Sequence, residues 1–181
     1  MFVVKYVGQF GYIKPWTAVR DGETYSQQFL TPSIIEGIEK KLFPQLIQEK
    51  GIRKIIRHKL SGKGISVQQE QVQSIGWKKK QPREKSIIKR GVMLYPELLL
   101  AFEKKDDAVI AASQHICLCR NEDIMLPEQE IIEMTDSEFA SIKGFELRFE
   151  KNSKSFIVGY NRFADNEPMS GWLEIDGKGI L

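Results

Sequence analysis

An amphipathic helix with a clear start lies between two segments that have the pattern of strands. Thr31 is predicted as its N-cap, and Pro32 lies in the first turn, where its missing N–H is not needed. Apolar residues then recur on one helical face, at Ile34, Ile35, Ile38 and Leu42. Residues 2–11 before the helix alternate with a period near two, and residues 52–60 after it are short and β-branched. This succession predicts a chain in which strands and helices alternate.

The same patterns predict the other elements. Val4 and Tyr6 share one face of the first strand, and Ile52, Ile56 and Leu60 share one face of the second. Residues 12–28 are predicted as a loop or loose hairpin, the helix ends or kinks at Pro44, and Gly51 is a stop signal. Further strands are predicted at 98–103, 110–118, 145–149, 155–160 and 171–175, with a turn at 151–154 and with a helix starting at 108–112 as the alternative for part of 110–118.

Charge is divided unevenly along the chain. Residues 1–90 contain 18 Lys and Arg against seven Asp and Glu, whereas residues 91–181 contain nine against 17. Clustered cations attract a polyanion because they neutralise phosphates and release condensed counterions. The first half is therefore predicted to bind nucleic acid, and the alternative is an ordinary solvated face. The acidic segment 121–139 is predicted to be part helix and part solvated connection, facing a neighbouring subunit or solvent.

Residues 61–90 contain several glycines, Pro82 and almost no aliphatic periodicity. They are predicted to form a basic arm or thumb inserted into a single domain that spans residues 1–181, because a long loop in a compact domain is usually functional or disordered. Trp77 precedes three lysines, and it is interpreted either as a wedge between bases or as an anchor for the loop.

Aromatic rings and cations also alternate in the irregular segment after the first strand. Such a mixture binds single-stranded RNA by base stacking and phosphate pairing, although Tyr12 and Trp16 have a core-packing alternative. The N–H groups at the start of the helix can accept a phosphate, unless Thr31 acts only as a cap. The predicted RNA-binding residues are Tyr12, Lys14, Trp16, Arg20, Tyr25, Thr31, Ser33, Trp77, Lys78, Lys79, Lys80, Arg83, Lys85, Lys89, Arg90 and Arg162.

No metal or cofactor is expected. His115, Cys117 and Cys119 place three soft ligands on one face of a strand, but zinc sites usually use four ligands drawn from two segments, so a buried strand face is the favoured interpretation. The two cysteines are too close for a relaxed disulfide, and no apolar run approaches the about 18 residues of a membrane span. A cytoplasmic location is therefore predicted.

The order and spacing of several segments resemble the Cas-five family, the RAMP-type subunits of CRISPR Cascade complexes, especially those of subtype I-C. The likeness covers about two thirds of the chain. It rests on Gly8-Gln9-Phe10, Pro15, Glu23-Thr24-Tyr25-Ser26, the residues 31–38, the strands at 52–60 and 98–103, and Val158-Gly159-Tyr160-Asn161-Arg162-Phe163. Residues 104–135 do not align, and the chain is shorter than typical members.

The resemblance implies a ferredoxin-like (RRM-like) RAMP fold of class α+β, with an antiparallel sheet, helices on one face and an extended basic thumb. It also implies a subunit that holds the 5′ handle of the guide RNA, caps the complex backbone, and has the backbone and large subunits of Cascade as partners. Family members of subtype I-C cleave precursor RNA without metal, using Tyr, Lys and His. The matching positions here are Phe43 and Glu138-Phe139, which cannot perform that proton transfer.

Three functions follow from these observations. The first is a non-catalytic RNA-binding subunit of a CRISPR effector, and it is the favoured one. The second is a metal-independent endoribonuclease in which His58 or His115 replaces the missing residues. The third is a generic basic nucleic-acid-binding protein with another α+β fold.

Overall fold

The structure of the chain is a computed structural model that describes residues 1–15, 22–72, 86–161 and 164–176. Within these ranges the strands are β1 (Phe2–Gly8), β2 (Phe10–Gly11), β3 (Glu23–Tyr25), β4 (Ile55–Ser61), β5 (Gly64–Val72), β6 (Ser86–Leu94), β7 (Glu97–Phe102), β8 (Ile116–Cys117), β9 (Ile124–Glu133), β10 (Gly144–Arg148), β11 (Phe156–Asn161) and β12 (Glu167–Asp176). The helices are α1 (Pro32–Leu42), α2 (Lys105–Ala112) and α3 (Asp136–Ala140), with a 3-10 turn at Pro44–Leu46. Of these helices, none is long and apolar enough to cross a membrane.

A βαββαβ unit forms the centre of the molecule. It consists of β1, α1, β4, β7, α2 and β9 in chain order, and its strands lie side by side as β4-β7-β1-β9. All three pairs in this row are antiparallel. This arrangement is the ferredoxin-like fold. The α+β class and the antiparallel sheet are therefore as predicted.

Additional strands extend the central sheet at both edges. β10, β12 and β11 follow β4 on one side, and β8 pairs with the start of β9 on the other, which gives eight strands in the described part of the chain. The strands at 145–149 and 155–160 were predicted to follow one another through a turn. They do, but β12 lies between them in the sheet. This insertion separates β10 from β11 and opens a concave surface beside α1.

The second sheet has β6 at its centre. β5 pairs with β6 over its whole length, while β2 and the parallel strand β3 lie on the other side. The predicted loop at 61–90 was therefore wrong for residues 64–72 and 86–90, which are strands. The residues from Gln68 to Gln71 are exposed, so this part of the hairpin has no alternation of apolar and polar residues that a sequence pattern could detect.

The main core lies between the central sheet and the helices α1 and α2. Val4 and Tyr6 of β1 are fully buried, as predicted, and they share this core with Ile35, Ile38 and Leu42 of α1. A smaller cluster on the opposite face joins Val3, Leu99 and Ala101 to Phe139 of α3. The two long helices thus cover one face, and the short third helix covers part of the other.

A buried carboxylate joins the end of α1 to the start of β4. Glu39 has no exposed surface, and its oxygens accept hydrogen bonds from the backbone N–H groups of Arg53, Lys54 and Ile55 at 2.8, 2.6 and 2.8 Å. Three such bonds compensate for the desolvation of the carboxylate. They also hold the connection that carries Gly51 and Ile52.

Two predictions were wrong where strand pairing is irregular, one on the face of a strand and one on the acidic segment. In β4 the register shifts between Ile55 and Arg57, so Ile56 is 48% exposed, whereas Leu60 is buried in the main core, against which Ile52, which precedes the strand, also packs. In the acidic segment, α3 accounts for the predicted helix, but residues 124–133 form β9 rather than a solvated connection. Its register also shifts, between Val4 and Tyr6 of its partner β1, which breaks the period of two.

The ambiguous segment 108–118 contains both predicted structures. Residues 105–112 form α2, and only Ile116 and Cys117 of the predicted strand pair with β9. The strands predicted at 98–103 and 171–175 are present as β7 and β12.

Candidate nucleic-acid interface

A cleft of about 890 Å³ lies between the start of α1 and the added strands β11 and β12. One wall carries Thr31, Ser33 and Glu36 of the helix together with Gly51 and Ile52. The other wall is formed by Phe149, Val158, Gly159, Tyr160, Asn161, Met169 and Ser170. The insertion of β12 between β10 and β11 brings these two parts of the chain together. A volume of this size fits an organic ligand rather than a single ion.

The sequence allowed Thr31 to act only as a helix cap, but the start of α1 has no side-chain cap. Thr31 is the N-cap residue with an extended backbone, but its hydroxyl makes no capping hydrogen bond. Instead the hydroxyls of Thr31 and Ser33 lie 3.0 Å apart and bond to each other. Because one hydroxyl of such a pair still has acceptor and donor capacity, this end of the cleft is a polar surface at the positive end of a helix dipole.

Aromatic rings form the opposite wall. Tyr160 is 60% exposed and Phe149 is 45% exposed, so both present ring surface to a ligand. Phe149 is supported from behind by His58, whose ring centroid lies 6.2 Å away with an interplanar angle of 22°. Exposed rings in a concave site are the surfaces on which nucleobases stack.

His58 is only 3% exposed, and its Nε2 has no hydrogen-bond partner among the described residues. Burial, together with the charges of Arg57 and Arg148, lowers the pKa of His58 to about 3. The imidazole is therefore neutral near pH 7, where it cannot donate a proton from an imidazolium. In the structure its ring supports that of Phe149.

The positions that match the family's nuclease residues are structural. Phe43 directly follows α1, is fully buried and packs edge-on against Phe102 with ring centroids 6.1 Å apart. Glu138 belongs to the capping box of α3, and Phe139 is fully buried in the second cluster. The other histidine, His115, is exposed, and its carbonyl accepts a hydrogen bond from Lys41.

Tyr12 and Arg90 belong to a polar cluster that lies outside the cleft, between the two sheets. Tyr12 is 4% exposed and its hydroxyl donates to Thr24 at 3.0 Å, while Arg90 donates to the same threonine at 2.8 Å. The guanidinium carbons of Arg90 and Arg120 each lie 5.4 Å from the centre of the Tyr12 ring. The ring therefore holds two cations in place and offers no face to a base in this conformation.

Tyr25 and Lys89 lie on the exposed surface of the second sheet. Tyr25 is 50% exposed, its hydroxyl donates to Glu23 at 3.0 Å, and its ring covers Gly91, where any Cβ would collide with it. The carboxylate of Glu23 raises the pKa of Tyr25 and lies 4.0 Å from the ammonium of Lys89. Lys14 is exposed. Only five residues separate Tyr25 from Thr31, so the two lie within roughly 20 Å of each other.

The structure thus brings Thr31 and Ser33 into the cleft, and it groups Tyr12, Tyr25, Lys89 and Arg90 around β6. Apart from the exposed Lys14, the remaining predicted RNA-binding residues lie outside the described residues. They are Trp16, Arg20, Trp77, Lys78, Lys79, Lys80, Arg83, Lys85 and Arg162.

Among the cleft residues that were not predicted as binding residues are Glu36, Phe149 and Tyr160. Glu36 and Tyr160 lie in the segments 31–38 and 158–163 that carried the family resemblance, but no local pattern marks any of the three as a binding residue. Across residues 1–15, 22–72, 86–161 and 164–176, no three His, Cys, Asp or Glu side chains are grouped closely enough to hold a metal ion.

Comparisons with known proteins support the fold. No protein-family model matches the chain, and no curated protein matches it. Among solved structures, a chain of a "CRISPR RNA-guided surveillance complex" matches with a TM-score of 0.54 and 10% identity, over 96% of this chain and 88% of that chain. At this identity the likeness shows the fold alone. The chain therefore has a fold that also occurs in a subunit of a CRISPR RNA-guided surveillance complex.

Proposed function

We propose that this chain is a non-catalytic RNA-binding subunit of a Cascade-type CRISPR effector, which holds the 5′ handle of the guide RNA and caps the complex backbone. The observation that carries the proposal is the structural likeness to a chain of an RNA-guided surveillance complex over nearly the whole length of both chains. The guide RNA and the backbone and large subunits of the complex are the partners that this role requires.

The cleft provides the means to hold a single strand. The N-terminal end of α1 and the hydroxyls of Thr31 and Ser33 face a phosphate or ribose, while Phe149 and Tyr160 offer rings to bases. Lys14, Lys89 and the predicted cations of 78–85 neutralise phosphates along the strand. Tyr12 contributes indirectly, because its buried ring orients Arg90.

Binding without cleavage is the function that the geometry supports best. Metal-free RNA cleavage needs groups that deprotonate the 2′-hydroxyl and protonate the leaving oxygen. Phe43 and Phe139 have buried phenyl rings at the corresponding positions, and His58 is buried and neutral. Among the described residues that line the cleft there is no histidine.

The decisive experiment measures binding and cleavage of labelled repeat RNA and of a scrambled RNA in EDTA across a salt series. We expect tight binding that is selective for the handle and leaves the RNA intact. Specific cleavage would place the protein among the processing nucleases. Equal, steeply salt-dependent binding of both RNAs would reduce it to a generic basic nucleic-acid-binding protein.

Two triple variants with the same change in net charge test which part of the chain contributes electrostatically to RNA binding. Reversal of Lys78, Lys79 and Lys80 to Glu is expected to abolish most binding and to reduce the salt slope by about 3, because each lysine no longer neutralises a phosphate. Reversal of the exposed Lys104, Lys105 and Lys143 changes the net charge equally but lies in the acidic half. If both triple variants lose the same affinity, the basic segment has no special role.

A further inference from the structure

We propose that the cleft between α1 and β11–β12 binds one unstacked nucleobase of the RNA, and that Glu36 selects a base with an exocyclic amino group. This inference rests on the proposed RNA-binding function, and it identifies the chemistry that one site would recognise. It follows from three features of the cleft: its size, its exposed rings, and the opposite polarity of its two ends.

The size of the cleft and its rings favour a base over a phosphate alone. Its volume of about 890 Å³ lies within the range of about 300–1,000 Å³ that holds organic ligands. Phe149 has His58 behind it, and Tyr160 stands on the same wall. A ring backed by a buried neutral side chain keeps its exposed face in a fixed orientation, which lowers the entropic cost of stacking.

The two ends of the cleft differ in hydrogen-bonding character. Thr31 and Ser33 provide hydroxyls at the positive end of the helix dipole, which suits a phosphate or a ribose. Glu36 lies one helical turn further on and provides a carboxylate, which only accepts hydrogen bonds. A nucleotide bound with its backbone at Thr31 therefore directs its base toward Glu36.

Part of the Glu36 carboxylate is already engaged. Lys40 donates to its Oε1 at 2.6 Å, and the backbone N–H of Gly51 approaches the same oxygen at 3.3 Å. Within the described part of the chain both contacts use Oε1, which leaves Oε2 to accept from a ligand. These bonds also fix the carboxylate in its orientation, so it recognises a donor at a defined position.

A fixed acceptor discriminates between bases. Adenine, cytosine and guanine each carry an amino group that can donate to Oε2, whereas the single N–H of the Watson–Crick edge of uracil lies between two carbonyl oxygens that the carboxylate repels. The site is therefore expected to prefer an amino-bearing base. A base that leaves Oε2 of Glu36 without a donor in this half-buried site is therefore costly to bind.

The test replaces each nucleotide of the handle in turn by an abasic residue and measures binding to the full-length chain. One position is expected to weaken binding about 10- to 100-fold, the range given by loss of one stacked base. At that position a base that lacks only the amino group is tested next: purine riboside replaces adenosine, or inosine replaces guanosine. This RNA is expected to bind more tightly than the abasic RNA but less tightly than the unmodified RNA.

Three variants connect that position to the cleft. Phe149→Ala and Tyr160→Ala should each remove the sensitivity to the abasic residue, while Phe10→Ala, which truncates a ring of comparable exposure outside the cleft, should keep it. Glu36→Gln retains an acceptor for Lys40 and Gly51 but can present an N–H to the base. It is therefore expected to shift the preference toward a carbonyl-bearing base.

The outcomes separate this inference from the proposed function. If the wild-type chain binds the handle selectively but no single abasic position matters, or if the sensitive position is unchanged in Phe149→Ala and Tyr160→Ala, the base site is wrong and the RNA-binding role stands. An unchanged base preference in Glu36→Gln overturns the role of Glu36. If handle-selective binding is absent altogether, the proposed function itself fails.

Discussion

The helices on the two faces of the central sheet begin differently, as their N-cap threonines show. On the face covered by α3, Thr135 begins the helix with a complete capping box: its hydroxyl accepts from the N–H of Glu138, and the Glu138 carboxylate accepts from the N–H of Thr135. On the α1 face, Thr31 occupies the same N-cap position but makes no such bond. The hydroxyl of Thr135 therefore caps its helix, whereas Thr31 lines the cleft.

The same contrast occurs within three consecutive residues of β4. Arg57 is paired with Glu146 and Asp136, and Lys59 donates to the carbonyls of Phe139, Ala140 and Ile142 at the end of α3. Burial lowers the pKa of Arg57, but the hydrogen bonds that it donates to its carboxylate partners, together with their charges, outweigh this effect and raise the pKa overall. His58, between the two, faces the other side and has an unpaired Nε2.

We therefore distinguish a structural side, where the buried cations Arg57 and Lys59 are paired, from a binding side, where the start of α1 is uncapped and the cleft lies. Buried charges are tolerated only when partners replace water, so the α3 face contributes to stability. Polar groups without internal partners do little for the fold, and they remain available to a ligand. Three measurements test this division, in order of the size of effect expected.

The largest effect is expected when a buried pair is broken on the α3 face. Glu146→Ala leaves the guanidinium of Arg57 without its two shortest buried contacts, to Glu146 Oε1 at 3.0 Å and Oε2 at 2.5 Å. We expect a loss of about 3–5 kcal/mol in the free energy of unfolding, measured by urea denaturation. The control Glu150→Ala removes an exposed partner of Arg148 and should cost less than about 1 kcal/mol. Equal losses would refute the structural role of this face.

Acid should destabilise the other face through His58. Its pKa is lowered to about 3 in the folded chain, below the value of about 6.5 in an unfolded chain, so the unfolded state binds the proton more readily. The stability that depends on the neutral ring is therefore complete above about pH 6.5 and is lost as pH falls toward 3, by roughly 2–4 kcal/mol.

The variant His58→Leu isolates this contribution from that of the carboxylates. The difference in unfolding free energy between wild type and variant should change between pH 6.5 and 3.5, and the exposed control His115→Leu should show no such change. A pH-independent difference for His58→Leu would mean that the folded chain binds a proton at this ring as readily as the unfolded chain does.

Local patterns predicted the elements whose burial is regular, and they failed where pairing is irregular. Val4 and Tyr6 share the buried face of β1, and Ile35, Ile38 and Leu42 follow one helix face, so their positions agree with the sequence patterns. Ile56 is displaced to the surface by a bulge, which no count of residues reveals in advance. The β5–β6 hairpin is stabilised by its ladder while its polar side chains stay in water, so its pattern resembles that of a loop.

The candidate site shows the same limit. Thr31 and Ser33 were predicted because a helix start is a local signal. Phe149 and Tyr160 become neighbours of that start only because β12 lies between β10 and β11, an order set by long-range pairing. In the sequence Glu36 is an ordinary polar residue of a helix. Only the fold brings it into one cleft with Gly51 and the added strands β11 and β12.

The smallest effect on stability, and the most direct comparison, comes from the two threonines. Thr135→Val removes a capping bond and should cost about 1 kcal/mol, whereas Thr31→Val removes none and should cost only a few tenths of that. RNA affinity should respond in the opposite order: Thr31→Val should weaken handle binding about 3- to 10-fold, the value of one hydrogen bond, and Thr135→Val should leave it unchanged. Because the two substitutions are chemically identical, unfolding curves and RNA titrations on the same samples compare position alone. A larger stability loss for Thr31→Val, or an equal effect of both on RNA, would contradict the division between a structural face and a binding face.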